Sequence, residues 1–234
     1  PTCAACNPQE DLLAAAGDGV GASDRGWCGP VIRVWAMNDE PRAGFVGEAG
    51  NRQKVLFGHD RRIQALAWSP NGRYLASTGD DKTVRFWNVL EGRCLRAFVL
   101  PTPGNALAWS PSGDRLVIAC DSSLELLAIS QGTFRHIAVE GVRGVDWDHD
   151  GTRFLAVVGN KIQVYDAATL KADRAITTGE LPLGTAAWSP DGKQIAAAYD
   201  GRLVRIWDVE SCELARQIEG KAGEIAAVAW SPQG

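Results

Sequence analysis

The chain has 234 residues, 45% of them hydrophobic and 22% charged, a composition that suits a globular protein with a substantial buried core. No apolar run approaches the roughly 18 residues of a membrane span, and Pro1–Asp18 lacks the basic and apolar regions of a signal peptide. The net charge of −4 argues against general nucleic-acid binding, which draws on a basic excess.

In chain order, the first predicted strands lie within residues 2–58. Asp11-Leu12-Leu13-Ala14-Ala15-Ala16-Gly17-Asp18 aligns without a gap onto Arg73-Tyr74-Leu75-Ala76-Ser77-Thr78-Gly79-Asp80, which sets Cys6-Asn7-Pro8 against Trp68-Ser69-Pro70. Two loops, Val20–Pro30 and Asn38–Gln53, make this unit about 20 residues longer than those that follow. From Ile63 onward the repeat is explicit. Trp68-Ser69-Pro70-Asn71-Gly72 recurs as Trp109-Ser110-Pro111-Ser112-Gly113, Trp188-Ser189-Pro190-Asp191-Gly192 and Trp230-Ser231-Pro232-Gln233-Gly234, with a degenerate copy at Trp147-Asp148-His149-Asp150-Gly151. Successive tryptophans stand 41, 38, 41 and 42 residues apart.

Each copy reads as a type I turn between two strands, with Ser or Asp first, Pro second and Gly fourth. An alternating run such as Ile63–Trp68 precedes it and a mostly apolar run such as Tyr74–Ser77 follows. Third strands are predicted at 83–87, 161–165 and 203–207, and fourth strands at 94–98, 133–137 and 214–218. Four short strands per repeat make an all-β fold of four-stranded antiparallel blades, a β-propeller. The expected blades are 2–58, 63–98, 104–137, 142–178 and 183–218, with the start of a further blade at 224–234. Eight of nine tryptophans fall at repeat positions, leaving Trp27 in the first long loop.

On these motifs the chain resembles the WD-repeat family. Its third strands end in Trp87-Asn88, Tyr165-Asp166 and Trp207-Asp208, near the family's Trp-Asp dipeptide, and Gly58-His59 matches the Gly-His that precedes a blade. The resemblance implies a buried, structural hydrogen-bonded set of His59, Ser77, Asp81 and Trp87, complete only in this blade. It also implies a ring most often of seven blades. Two architectures fit: part of a larger propeller, which the register of Cys6-Asn7-Pro8 favours, or a five-blade ring closed by 224–230 pairing with 11–17. An open ring would expose apolar sheet faces.

Other chemistry reads blandly. Cys3-Ala4-Ala5-Cys6 has half a zinc motif's spacing, but residues three apart on a strand face opposite ways, and no second pair follows. Gly17-Asp18-Gly19-Val20-Gly21 lacks the marks of a phosphate loop. The predicted inner strands carry one carboxylate, Asp146. No cofactor, metal or catalytic set is therefore expected. The family's loops at one end of the blades usually dock partners, and here they carry Asp60, Arg61, Arg62, Lys82, Arg143, Lys161 and Arg202. The expected function is a non-catalytic scaffold for proteins or peptides, with a sensor or autoinhibitory domain of a larger protein as the alternative. Six scattered cysteines and no glycosylation sequon point to a reducing compartment, the cytoplasm or the nucleus.

Overall fold

The computed structural model describes residues 3–18, 29–38, 44–47, 52–179, 182–199, 203–220, 225, 227–231 and 234. Trp27, Cys28, Arg202 and most of the two long loops lie outside the described residues. Every regular element among those described is a strand, and no helix is long and apolar enough to cross a membrane.

The strands form five four-stranded antiparallel sheets, each built from consecutive segments. The first holds β1 (Cys3–Cys6), β2 (Leu12–Asp18), β3 (Pro30–Ala36) and β4 (Gln53–Phe57). The second holds β5 (Ile63–Trp68), β6 (Tyr74–Gly79), β7 (Thr83–Asn88) and β8 (Arg93–Val99). The third holds β9 (Gly104–Trp109), β10 (Arg115–Cys120), β11 (Ser123–Ala128) and β12 (Thr133–Ala138). The fourth holds β13 (Val142–Trp147), β14 (Arg153–Val158), β15 (Lys161–Asp166) and β16 (Ala172–Thr177). The fifth holds β17 (Pro182–Trp188), β18 (Gln194–Tyr199), β19 (Leu203–Asp208) and β20 (Leu214–Glu219). The chain divides into two compact units, Pro1–Leu107 and Ala108–Gly234.

Pairing confirms the register read at the N-terminus. Cys3 to Cys6 pair with Ala16 to Leu13, so β1 occupies the place next to β2 that the five-blade closure would have given to 224–230. The described residues of 225–234 form no strand.

The recurring turn is as the sequence requires. Gly72, Gly113, Gly151 and Gly192 have φ of +69°, +74°, +72° and +70°, a left-handed backbone that a Cβ disfavours. The Gly72 N–H donates to the Ser69 carbonyl at 2.8 Å, closing the turn. The Ser69 hydroxyl in turn accepts the Tyr74 N–H at 3.0 Å. Ser110 and Ser189 repeat that bond to Arg115 and Gln194. These buried serines are therefore turn components.

In the second, third and fourth sheets the second and third strands are mostly buried and the fourth strand mostly exposed, whereas β4 of the first sheet and β19 of the fifth are largely half-buried. In the second sheet β6 is buried from Leu75 to Gly79, whereas β8 is largely open. Within the first unit one core joins Leu12, Ile32, Val34 and Leu56 of the first sheet to Ile63, Leu66, Leu75 and Trp87 of the second. Within the second unit Leu155, Ile162 and Val164 pack against Trp188, Ile195 and Trp207. Burying such side chains stabilises by about 1.5–3 kcal/mol each.

A candidate protein-docking rim and the network that fixes it

The second sheet closes its loop end with a hydrogen-bonded chain. The Trp87 indole N–H donates to the Ser77 hydroxyl at 2.8 Å, and that hydroxyl meets His59 Nε2 at 2.6 Å. His59 Nδ1 meets Asp81 Oδ2 at 2.7 Å. The carboxylate also accepts the Thr83 N–H at 3.0 Å, the Thr83 hydroxyl at 2.8 Å and the Asp60 N–H at 3.2 Å. Burial alone would raise the Asp81 carboxyl. The bond and charge of His59, with the Thr83 and Asp60 bonds, outweigh it and hold the pKa at about 2.

The sheet places these groups together. Ser77 stands opposite Arg85, and Leu75 opposite Trp87, so Ser77 and Trp87 share one face two residues apart in register. Gly79 lets the inner pair close. A Cβ there would lie 2.1 Å from the Arg62 carbonyl oxygen, where β5 and β6 shift register between Ile63 and Ala65.

Ser77 is fully buried and His59 is 1% exposed, so no substrate reaches the His-Asp-Ser trio. Its serine is spent on the indole and its imidazole on the turn. What it supplies is a fixed loop. Asp60, Arg61, Arg62 and Lys82 are all exposed around it. Neither Arg61 nor Arg62 meets an acidic partner among the described residues, and the Arg62 carbonyl takes the Asp80 N–H at 2.9 Å. In the fourth sheet, Arg143 near the start of β13 and Lys161 at the start of β15 flank the Val158 end of β14, both exposed. The seventh predicted residue, Arg202, lies outside the described residues.

In the other sheets the serine position is filled by Ala15, Ile118, Ala156 and Ala197, which stand opposite Arg33, Glu125, Gln163 and Arg205. None can relay a hydrogen bond. Cys3 packs against the core whereas Cys6 is exposed, on opposite faces of β1. Among the described residues no group of three or more His, Cys, Asp or Glu could hold a metal ion.

Sequence reasoning missed the polar ties between sheets. The motif indoles reach back to the preceding inner strand: Trp68 Nε1 donates to the Ala5 carbonyl at 3.1 Å, Trp147 to Ala108 at 3.0 Å and Trp230 to Ala187 at 3.0 Å. Trp188 departs from this rule, its buried Nε1 having no partner. Here the Asp146 carboxylate accepts the backbone N–H of both Trp188 and Trp147 at 2.9 Å. Burial pushes the Asp146 carboxyl up to about 6, against the pull of those two bonds. Arg115 stacks over Trp147 and Arg153 over Trp188, at 5.0 and 5.2 Å. The only signal in the sequence was the recurrence of Arg six residues after the motif tryptophan.

Known proteins are similar to the chain in sequence and fold. The family described as "WD domain, G-beta repeat" matches residues 50–88, the segment that carries the complete hydrogen-bonded set. The family described as "Eukaryotic translation initiation factor eIF2A" matches residues 120–234. WD repeat-containing protein AAC3 of Dictyostelium discoideum is 29% identical over 66% of this chain and 35% of its own length. Eukaryotic translation initiation factor 3 subunit I of Aspergillus fumigatus is 29% identical over 73% of this chain and 44% of its own length. The chain thus spans less than half of either relative. Among solved structures, Kuenenia stuttgartiensis hydrazine synthase is similar at a TM-score of 0.63 and 22% identity, over 67% of this chain and 49% of that one. That likeness carries the fold alone. With five four-stranded antiparallel sheets and a WD-repeat match at residues 50–88, the chain has a β-propeller fold and is similar to WD-repeat proteins.

Proposed function

We propose that the chain is a non-catalytic scaffold that docks other proteins on the rim carrying Asp60, Arg61, Arg62 and Lys82, with Arg143, Lys161 and Arg202 as separate candidate docking positions. The observation that carries this reading is the contrast between the fixed loop and its free charges. His59 and Asp81 pin the backbone at 2.7 Å, while Arg61 and Arg62 stand exposed beside it. Arginine is a residue type enriched at interface hot spots, and the fixed backbone beneath Arg61 and Arg62 limits the entropy lost to side-chain ordering when a partner arrives.

Two of the matched proteins and families bear the words translation initiation factor, which supports an assembly of that kind in the cytoplasm or the nucleus. A second reading, a sensor or autoinhibitory propeller within a longer protein, is favoured by the length of the relatives, of which this chain spans 35% and 44%. The open reading frame on both sides of the segment separates the two.

Affinity capture with the intact protein tests the rim. The variant carrying Arg61→Glu and Arg62→Glu should lose the captured proteins at least tenfold while melting at the wild-type temperature. An unchanged set of captured proteins would remove the rim from the account.

A further inference from the structure

The sheets are tied at a second place, on their outer strands. Lys54 of β4, Arg135 of β12 and Arg174 of β16 hold one register position, opposite Val34, Leu126 and Val164. Each reaches a carbonyl in the turn after the third strand of the next sheet. Lys54 bonds that of Leu90, Arg135 that of Ala168 at 2.6 Å and Arg174 that of Glu210 at 2.6 Å. The three acceptors stand three residues after Trp87, Tyr165 and Trp207. Glu210 adds its carboxylate, which meets Arg174 Nη2 at 2.9 Å.

The fifth sheet repeats the donor without an acceptor. Arg216 of β20 stands opposite Ile206, at the same register position, is exposed and meets no partner among the described residues. The apolar face beside it is uncovered too. Ile176, opposite Ile162, is 1% exposed beneath the fifth sheet, whereas Ile218, opposite Val204 at the matching place, is 44% exposed. The residues after β20 show what belongs there. The Trp230 indole N–H already donates to the Ala187 carbonyl, the bond by which Trp68 and Trp147 join a sheet to the one before. The Gly234 N–H closes its turn on the Ser231 carbonyl at 3.0 Å with φ of +100°, as Gly72 does on Ser69. A second copy of the chain would bring Cys6 to that seat, and a cysteine has no indole to fill it.

We propose that the face of the fifth sheet turned away from the fourth, at Val204, Arg216 and Ile218, docks a further four-stranded sheet that residues 224–230 open and the same polypeptide continues. The turn between its third and fourth strands presents an acidic side chain to Arg216, as Glu210 does to Arg174. The apolar face supplies the burial and the guanidinium selects the acid. The relatives leave room for such a sheet, since this chain spans 35% and 44% of their lengths. The surface is distinct from the arginine rim and stands without it.

Extending the chain after Gly234 with a second copy of residues 193–220 supplies the sheet, since Gly234 and Gly192 end the same turn. With Ile218→Cys in the original sheet, alkylation at that position, read by peptide mass spectrometry, should be at least tenfold slower in the extended chain. Gln217→Cys, opposite Arg205 on the other face, should change less than twofold. Glu210→Lys in the copy should restore fast alkylation at 218, and Arg216→Glu added to it should slow the reaction again. A second extension, a copy of residues 152–179, should also protect position 218, which separates poor folding of one extension from a face that takes no sheet. Equal alkylation with and without both extensions, or protection indifferent to the charge reversals, would overturn the proposal.

Discussion

His59 and Asp81, 2.7 Å apart, show why one repeat keeps the full motif when others lose it. Each member of the set has a buried polar atom that another member satisfies, so losing one leaves an orphan. Ser77→Ala strands both the Trp87 indole N–H and His59 Nε2, and should cost about 2 kcal/mol or more in urea denaturation. Combining it with Trp87→Phe should be clearly less than additive, since both remove the same bond. The Asp81 pKa gives a sign. Held at about 2 against an ordinary 3.8, the carboxylate contributes stability that is full above pH 4 and lost as pH falls through 2. Acid unfolding of Asp81→Asn should therefore be shallower between pH 4 and 2.

Leu170 and Cys212 are strained at the same scale. They hold φ of +60° and +58° in the turn between third and fourth strands, where the second and third sheets have Gly92 and Gly132 at +70° and +67°. A β-carbon in that region costs about 1–2 kcal/mol, partly offset by glycine's freedom when unfolded. Leu170→Gly, whose backbone N–H already bonds Asp166 at 2.8 Å, should thus raise stability by up to about 1 kcal/mol in the same assay.

At the scale of elements, one indole bond near the end of the inner strand ties the first sheet to the second and the third to the fourth. The fourth and fifth sheets replace that bond with the Asp146 carboxylate, which receives the Trp188 N–H while the Trp188 indole goes unpaired. With its pKa raised to about 6 in the folded protein, Asp146 binds its proton more tightly there than when unfolded. Its contribution is therefore favourable below about pH 4 and is lost as pH rises through 6. Asp146→Asn should remove this dependence, so that its melting temperature changes less than wild type between pH 4.5 and 7.5. An identical slope in both proteins would show that the carboxyl does not titrate in that window.

Across the whole molecule, what was legible in the sequence was what repeats. The turn Ser69-Pro70-Asn71-Gly72 fixed the strand ends because proline and glycine each demand a particular backbone. The gapless match of Asp11–Asp18 to Arg73–Asp80 placed β1 correctly even though Cys6 stands where a tryptophan belongs. The buried set was legible at His59, Ser77, Asp81 and Trp87 through the family motif. The ties made by Asp146, Arg115 and Arg153 were not, because each depends on which backbone atom of the neighbouring sheet lies within reach. The ties from Lys54, Arg135 and Arg174 were hidden for the same reason, their acceptors being turn carbonyls of the neighbouring sheet.

The rim is the central claim, and site-directed photo-crosslinking tests it most directly. A benzophenone amino acid in place of Arg61 is compared with one in place of Glu213, an exposed residue beside an outer strand. The account predicts that proteins co-purifying with the chain become covalently attached from position 61 and not from position 213. Attachment from 213 with none from 61 would contradict it.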